Sequence, residues 1–277
     1  MDYTHKAILL ASMHEKERAF SGAFQDALAS TLVVRDFNTD RFGTFSGEVE
    51  RSQSPYETCV LKAQTAAEHY GFELAVASEG SFGPHPTIPF LAGDHEIMVF
   101  LDRKNQLIIA EQLLTETTNF NQITLDSPHC PEDFLQKVGF PEHALIVQTA
   151  EKGRVIEKGI RDRASLLQAL ERGLQETDRI FLTTDMRAMM NPTRMKVLET
   201  LAQKLVRRIA TKCPACLTAG FGFKATGGHL SCRVCEGESA LYRHEVWACV
   251  RCEYTKDVPR VDGLLHADPA YCFICNP

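Results

Sequence analysis

Eight of the ten cysteines in this 277-residue chain fall into four C-x-x-C pairs: Cys213/Cys216, Cys232/Cys235, Cys249/Cys252 and Cys272/Cys275. Two intervening residues let both sulfurs of a pair turn toward one ion, and thiolates fill the tetrahedral shell that zinc prefers. Fifteen residues separate the first two pairs and nineteen the last two, within the ribbon spacing of about 15 to 20. The pattern predicts two structural zinc ions, because complete four-cysteine shells leave no open position for catalysis. Sequential pairing, first pair with second and third with fourth, is the favoured arrangement. Crossed pairing, first with third and second with fourth, stays open. Cys59 and Cys130 lie outside this set and read as a helix thiol and a loop thiol.

Three polar clusters stand where strands are expected to end, which is where α/β folds place ligands. The first is Ser12-Met13-His14-Glu15-Lys16. A hydroxyl, a helix N-terminus and a Lys together make a cradle for an anion such as phosphate. The second joins Glu57 and Lys62, on an expected helix, to Ser78-Glu79-Gly80-Ser81. Two carboxylates converging there, Glu57 and Glu79, would suit magnesium, which takes oxygen ligands. Glu57 equally reads as an acid stabilising its own helix start. Next comes Phe82-Gly83-Pro84-His85-Pro86, where two prolines fix His85 as a ligand, a base or a plain loop residue. The third cluster pairs Gly139-Phe140-Pro141-Glu142-His143 with Thr184-Asp185-Met186-Arg187, followed by Arg194. Phe140 can stack on a flat ring, and Asp185, Arg187 and Arg194 can hold polar edges or phosphate. The plainer reading of these last three is a cap and salt-bridged surface arginines.

The elements that must position these groups alternate along the chain. Strands are expected at 6–11, 32–37, 73–77, 144–149 and 179–183, with a hairpin at 97–101 and 107–110. Helices are expected at 15–29, 55–70, 131–138, 163–174 and 193–211. Ser54-Pro55 and Gly71 mark the ends of the second helix. In the last, Met195, Leu198, Leu201, Leu205 and Ile209 share one face. The order implies an α/β domain over 1–211, with a mixed sheet because adjacent hairpin strands rule out a purely parallel one. A small zinc-ribbon module over 212–277 follows.

Apolar residues at 44% and charged residues at 24% are ordinary for a soluble domain with a real core. No apolar run approaches the roughly 18 residues that span a bilayer. The opening Met1-Asp2-Tyr3-Thr4-His5-Lys6 has no signal-peptide pattern, so a cytoplasmic location and reduced thiols are expected. The net charge of -6 argues against nucleic-acid binding by the whole chain. From Thr211 onward Lys/Arg and Asp/Glu balance, so the zinc module is not basic either. A homo-dimer is compatible with the pattern, and a membrane partner is not.

Residues 6 to about 80 resemble the inosine-triphosphate pyrophosphatase-like superfamily. Its Ser/Thr-x-Asn-x-x-Lys segment is similar to Ala11-Ser12-Met13-His14-Glu15-Lys16, with His14 replacing the usual Asn and the spacing to Lys16 one residue shorter. Its Phe-x-Glu-Asn-Ala-x-x-Lys-Ala helix is similar to Tyr56-Glu57-Thr58-Cys59-Val60-Leu61-Lys62-Ala63. Its Asp-Asp-Ser-Gly strand end looks like Ser78-Glu79-Gly80-Ser81, with Glu79 alone where the family has an acidic pair. A family Gly-Phe segment is matched by Gly139-Phe140, and a His-Arg segment loosely by Asp185-Met186-Arg187. The whole chain also resembles an uncharacterised bacterial family of the same two-part layout. The first resemblance implies a metal-dependent hydrolase that releases pyrophosphate from a nucleoside triphosphate or a related phosphorylated metabolite. Ser12 and Lys16 would hold phosphates, with His14 and Lys62 beside them. Glu57 and Glu79 would bind magnesium, Glu79 or His85 would activate water, and Phe140 would stack on the base. Two readings compete: an enzyme for another anionic metabolite on the same scaffold, and a non-enzymatic adaptor whose zinc module holds nucleic acid or protein.

Overall fold

In the computed structural model, which describes residues 1–43, 53–151 and 153–277, the apolar run after Lys6 forms β1 (Ala7–Ala11). It is followed by α1 (Glu17–Leu28), β2 (Thr31–Val34), α2 (Pro55–Tyr70), β3 (Leu74–Pro84), β4 (Ala92–Asp102) and β5 (Leu107–Thr115). These strands make a sheet in the order β2-β1-β3-β4-β5. β1 is parallel to β2 and β3, and β3, β4 and β5 run as an antiparallel meander, so the sheet is mixed. The connection through α1 steps to one side of β1, and the connection through α2 steps back past it to the other. Right-handed crossovers in opposite directions place the two helices on opposite faces. β1 is therefore a topological switch point, and a crevice is expected at its carboxyl end.

Local sequence explains the helix that covers one of these faces. Ser54 caps α2 and accepts from the Glu57 amide at 3.2 Å, while Glu57 reaches back to the Ser54 amide at 3.0 Å. Pro55 occupies the first turn and Gly71 ends the helix at φ 70°, where a side chain would be strained. Its small residues Cys59, Ala63, Ala66 and Ala67 let it lie close on Leu9, Ala11, Ala75, Ala77, Val99 and Leu101. Burial pushes the Cys59 thiol up, which makes it a core thiol.

A second sheet belongs to the same unit. Its strands are β6 (Gln122–Leu125), β7 (Leu145–Thr149), β8 (Val155–Ile160) and β9 (Ile180–Thr184), ordered β6-β9-β7-β8 with antiparallel neighbours. α3 (Glu132–Val138) and α4 (Arg163–Glu176) cover it through Phe134, Leu135, Leu166, Ala169 and Leu170. β6 and β8 were not among the expected strands, being short and half-polar. α5 (Pro192–Ala210) starts at Asn191, whose Oδ1 accepts from the Arg194 amide at 3.0 Å. Among the described residues no helix is long and apolar enough to cross a membrane.

The chain divides into two compact units, Tyr3–Val206 and Arg207–Pro277 with Met1–Asp2. The second is built on an antiparallel meander of β10 (Gly222–Ser231), β11 (Glu238–Ala248) and β12 (Thr255–Pro259).

Candidate functional site

β1 stops at Ala11, opposite Ala77, while β3 runs on to Pro84. Beyond this point a cavity of about 350 Å³ opens. Residues Ser78 to Phe82 of β3 line it, with Ser12, His14 and Lys16 from the end of β1 and the start of α1. Lys62 of α2 joins them, the second sheet contributes Ile146 and Lys158, the segment after β9 contributes Arg187, and α5 contributes Arg194. Alternation along β3 sends its side chains to both faces of the sheet. Glu79 turns toward α2 and pairs with Lys62. Ser78, on the other face, meets Lys16, whose Nζ donates to its Oγ at 2.8 Å and its carbonyl at 3.3 Å.

Among the described residues the lining carries five cationic side chains, Lys16, Lys62, Lys158, Arg187 and Arg194, against one carboxylate, Glu79. Two of the guanidinium groups are fixed from behind. Arg187 Nε and Nη2 donate to the buried Asp185 carboxylate at 3.0 and 2.6 Å. Arg194 Nε donates to Glu96 Oε1 at 2.5 Å, its Nη1 donates to the Met186 carbonyl, and its guanidinium lies 4.9 Å from the Phe82 ring centre. Lys16 is as buried as Arg194, each at 6% exposure, but differs from both guanidinium groups in that its hydrogen-bond partners are neutral. Burial, and then the Arg194 charge, pushes its ammonium down to about 8. Burial and the surrounding cations, Lys16 first, push His14 down to about 3, so its imidazole is neutral. A desolvated ammonium among further cations is a site for an anion of more than one charge.

Of the residues singled out from sequence, Ser12, His14, Lys16, Lys62, Glu79, Arg187 and Arg194 come together here, with Asp185 behind Arg187. Three others lie away from the cavity. Glu57 is exposed in its capping box, so the expected Glu57–Glu79 pair for magnesium does not form. His85 closes the β3–β4 turn: its Nδ1 accepts from the Thr87 and Ile88 amides at 3.2 Å, and its Nε2 faces Glu116 at 3.7 Å. Phe140 packs against the core of the second sheet instead of standing free for a base. Sequence reading missed Asp94, Glu96, Phe82 and Lys158. The two acids had a signal, since Asp94 and Glu96 alternate at the head of an apolar strand and so share a face.

The Cys-rich unit holds two four-cysteine groups, Cys213/Cys216/Cys249/Cys252 and Cys232/Cys235/Cys272/Cys275. The pairing is crossed, and the favoured sequential pairing is corrected. β10 spans the gap between the first and second pairs, and at about 3.3 Å per residue a strand of that length holds them far apart. The antiparallel return of β11 brings the third pair back beside the first. Sγ atoms lie 3.7 Å apart for Cys213–Cys252 and 3.5 Å for Cys216–Cys249. The second group shows 3.9 Å for Cys232–Cys275 and 3.5 Å for Cys235–Cys272. A tetrahedron with bonds of about 2.3 Å has edges of about 3.8 Å, so the sulfurs fit one ion per group. Backbone amides of Arg251, Cys252, Ile274 and Cys275 point at Sγ atoms at 3.3 to 3.4 Å, as thiolate ligands require. Leu217 and Glu236, each just after a pair, take φ of 59° and 60° to close the turn.

Fold and site together define a two-unit protein: an α/β unit with a cationic cavity at a switch point, and a Cys-rich unit with two four-cysteine groups compatible with metal binding. The chain belongs to the family described as Domain of unknown function (DUF6671), whose profile matches residues 62–277. The match starts at Lys62 and takes in most of the α/β unit and all of the Cys-rich meander. No curated protein matches the chain.

Proposed function

We propose that the α/β unit binds the phosphate groups of a nucleotide-like metabolite in the cavity and hydrolyses it, and that zinc fills both four-cysteine groups. The observation that carries the first part is buried Lys16, held by neutral partners among four further cations. That the Ser12–Lys16, Lys62 and Ser78–Ser81 segments share one cavity also supports it, since these are the segments that resemble the pyrophosphatase-like superfamily. In this reading Lys16, Arg187 and Arg194 bind phosphate oxygens, and the Ser12 hydroxyl adds a hydrogen bond. Glu79, oriented by Lys62, would hold magnesium together with ligand phosphates and waters, an arrangement that needs only one or two carboxylates. When bound, the ion would polarise a phosphoryl oxygen. Glu79 takes the proton of a water that attacks phosphorus, the bond to the bridging oxygen breaks, and pyrophosphate leaves.

The zinc ions are structural, since four thiolates complete each shell. Thiolate shells need reduced cysteines, which fits a cytoplasmic protein. A second reading, a non-enzymatic adaptor, is favoured by one observation. Val234 and Ile274, inside C-x-x-C pairs of the second group, are 69% and 67% exposed, and Phe273 is exposed beside them.

The test is a magnesium-dependent pyrophosphate-release screen against standard and deaminated nucleoside triphosphates, with Glu79→Gln as control. Release by the natural protein, lost in the variant, supports the hydrolase. No release from any nucleotide, with metal bound and the helical signal intact, sinks the nucleotide hydrolase and leaves an enzyme for another anionic metabolite and the adaptor.

A further inference from the structure

Behind the cavity, β4 carries two acids that its lining does not include. Asp94 and Glu96 sit two apart on one strand, hence on one face, and each is 0% exposed. Arg194 satisfies Glu96 Oε1. Glu96 Oε2 and both oxygens of Asp94 have no hydrogen-bond partner among the described residues. The charged groups that act on Asp94 are Glu96 on its own strand, Arg194 from α5 and Lys16 from the start of α1. Its cross-strand neighbours, Phe82 on β3 and Thr115 on β5, do not titrate. Two ionised carboxylates here would leave buried oxygens without donors and one charge uncompensated, which costs several kcal/mol by the usual order of magnitude. A proton on Asp94 removes the uncompensated charge and the like-charge repulsion from Glu96. Burial first, and the Glu96 charge second, push the Asp94 acid up to about 8.

We infer that Asp94 is held protonated beside the ionised Glu96, and that this acid–carboxylate pair positions Arg194 in the cavity without adding net negative charge behind it. The role in ligand binding rests on the reading of the cavity as an anion site. With Asp94 protonated, the pair and Arg194 sum to zero charge, and the other cations set the field that the ligand meets. Loss of the proton places one negative charge behind Arg194 and weakens anion binding. Asp94 and Glu96 act through Arg194 and are positioning residues.

Infrared spectroscopy of the full chain at neutral pH tests the Asp94 proton directly. The expected result is a protonated-carboxyl C=O band that shifts when aspartate is ¹³C-labelled and is lost in Asp94→Asn. Absence of the label-sensitive band in the natural protein overturns the inference, and that measurement needs no variant to fold. Calorimetric titration with pyrophosphate tests the coupling. Affinity of the natural protein should fall on the order of tenfold more than that of Asp94→Asn as pH rises through about 8. Matching pH profiles in the two proteins overturn the coupling. If pyrophosphate fails to bind at any pH, the anion-site reading and the coupling fall together, and the infrared band alone decides the proton.

Discussion

Gly80→Ala tests whether the Arg194–Glu96 pair is as tightly built as its contacts imply. Gly80 lies across from Glu96 in the β3–β4 ladder. A Cβ there would come within 2.7 Å of Glu96 Oε1 and also meet Arg194 Nη2. Neither group has room to withdraw, because Arg194 is held by the Met186 carbonyl and lies against Phe82, and Glu96 is fully buried. Overpacking costs about 1–3 kcal/mol, and opening a buried ion pair costs about 3–5 kcal/mol when one partner is left alone. Alanine recovers about 0.4–1 kcal/mol by stiffening the unfolded chain. If the added Cβ opens the pair, which replaces the overpacking cost, the expected loss is about 2–5 kcal/mol, a large share of a typical stability of about 5–15 kcal/mol. Gly83→Ala on the same strand is the control, since nothing lies within 4 Å of its added Cβ. It should change stability by less than about 1 kcal/mol. Urea unfolding followed by helical circular dichroism reads the α/β unit, which holds nearly all of the helix. The single tryptophan, Trp247, reports the Cys-rich unit by fluorescence. If Gly80→Ala unfolds within about 0.5 kcal/mol of Gly83→Ala, the pair is adaptable and the packing argument is wrong.

Three further outcomes follow from the same geometry. Lys16→Met should raise the stability of the ligand-free protein at neutral pH by about 1–2 kcal/mol, because it removes a buried charge, and should abolish pyrophosphate binding in calorimetry. The folded-state Lys16 titrates near 8, below the ordinary 10.5, so the folded chain binds fewer protons between those values. The Lys16 contribution to stability thus rises with pH across that window in the natural protein, a rise that Lys16→Met should lose in urea titrations at several pH values. Glu57→Ala should cost about 1 kcal/mol through the lost capping box and leave pyrophosphate affinity unchanged, whereas a metal-ligand role for Glu57 would abolish magnesium-dependent activity. Serine at Cys213, Cys216, Cys249 and Cys252 together should remove one metal ion per chain by elemental analysis. Serine at Cys213, Cys216, Cys232 and Cys235 should remove both, and the reverse result would restore sequential pairing.

Gly80 and Gly83 show how far local sequence carries an argument. Both read as strand-end glycines beside a polar cluster, yet only Gly80 is pressed by a buried ion pair. That difference depends on Arg194, more than a hundred residues later in the chain. Glu57 and Glu79 make a similar contrast. Each was a carboxylate near an expected element end, but one caps its own helix and the other meets Lys62 at the cavity.

What the sequence determined by itself was local and periodic. Apolar runs, capping pairs and glycine stops defined the main helices and strands, because these signals act within a turn or a pleat. The hairpin at 97–110 already implied a mixed sheet, and the C-x-x-C spacing already implied metal-binding thiolates. The Ser12–Lys16, Lys62 and Ser78–Ser81 clusters were visible as polar groups at strand ends. Tertiary structure decided which of them meet. It joined them with Arg187 from the segment after β9 and Arg194 from α5, paired the cysteines crosswise, and hid Asp94 and Glu96 behind Arg194. The physical reason is that sheet order and crossover direction bring together residues far apart in the chain, and neither is encoded in any one window. Burial of a charge, which gives Lys16 and Asp94 their chemistry, exists only once both sheets and α5 are in place.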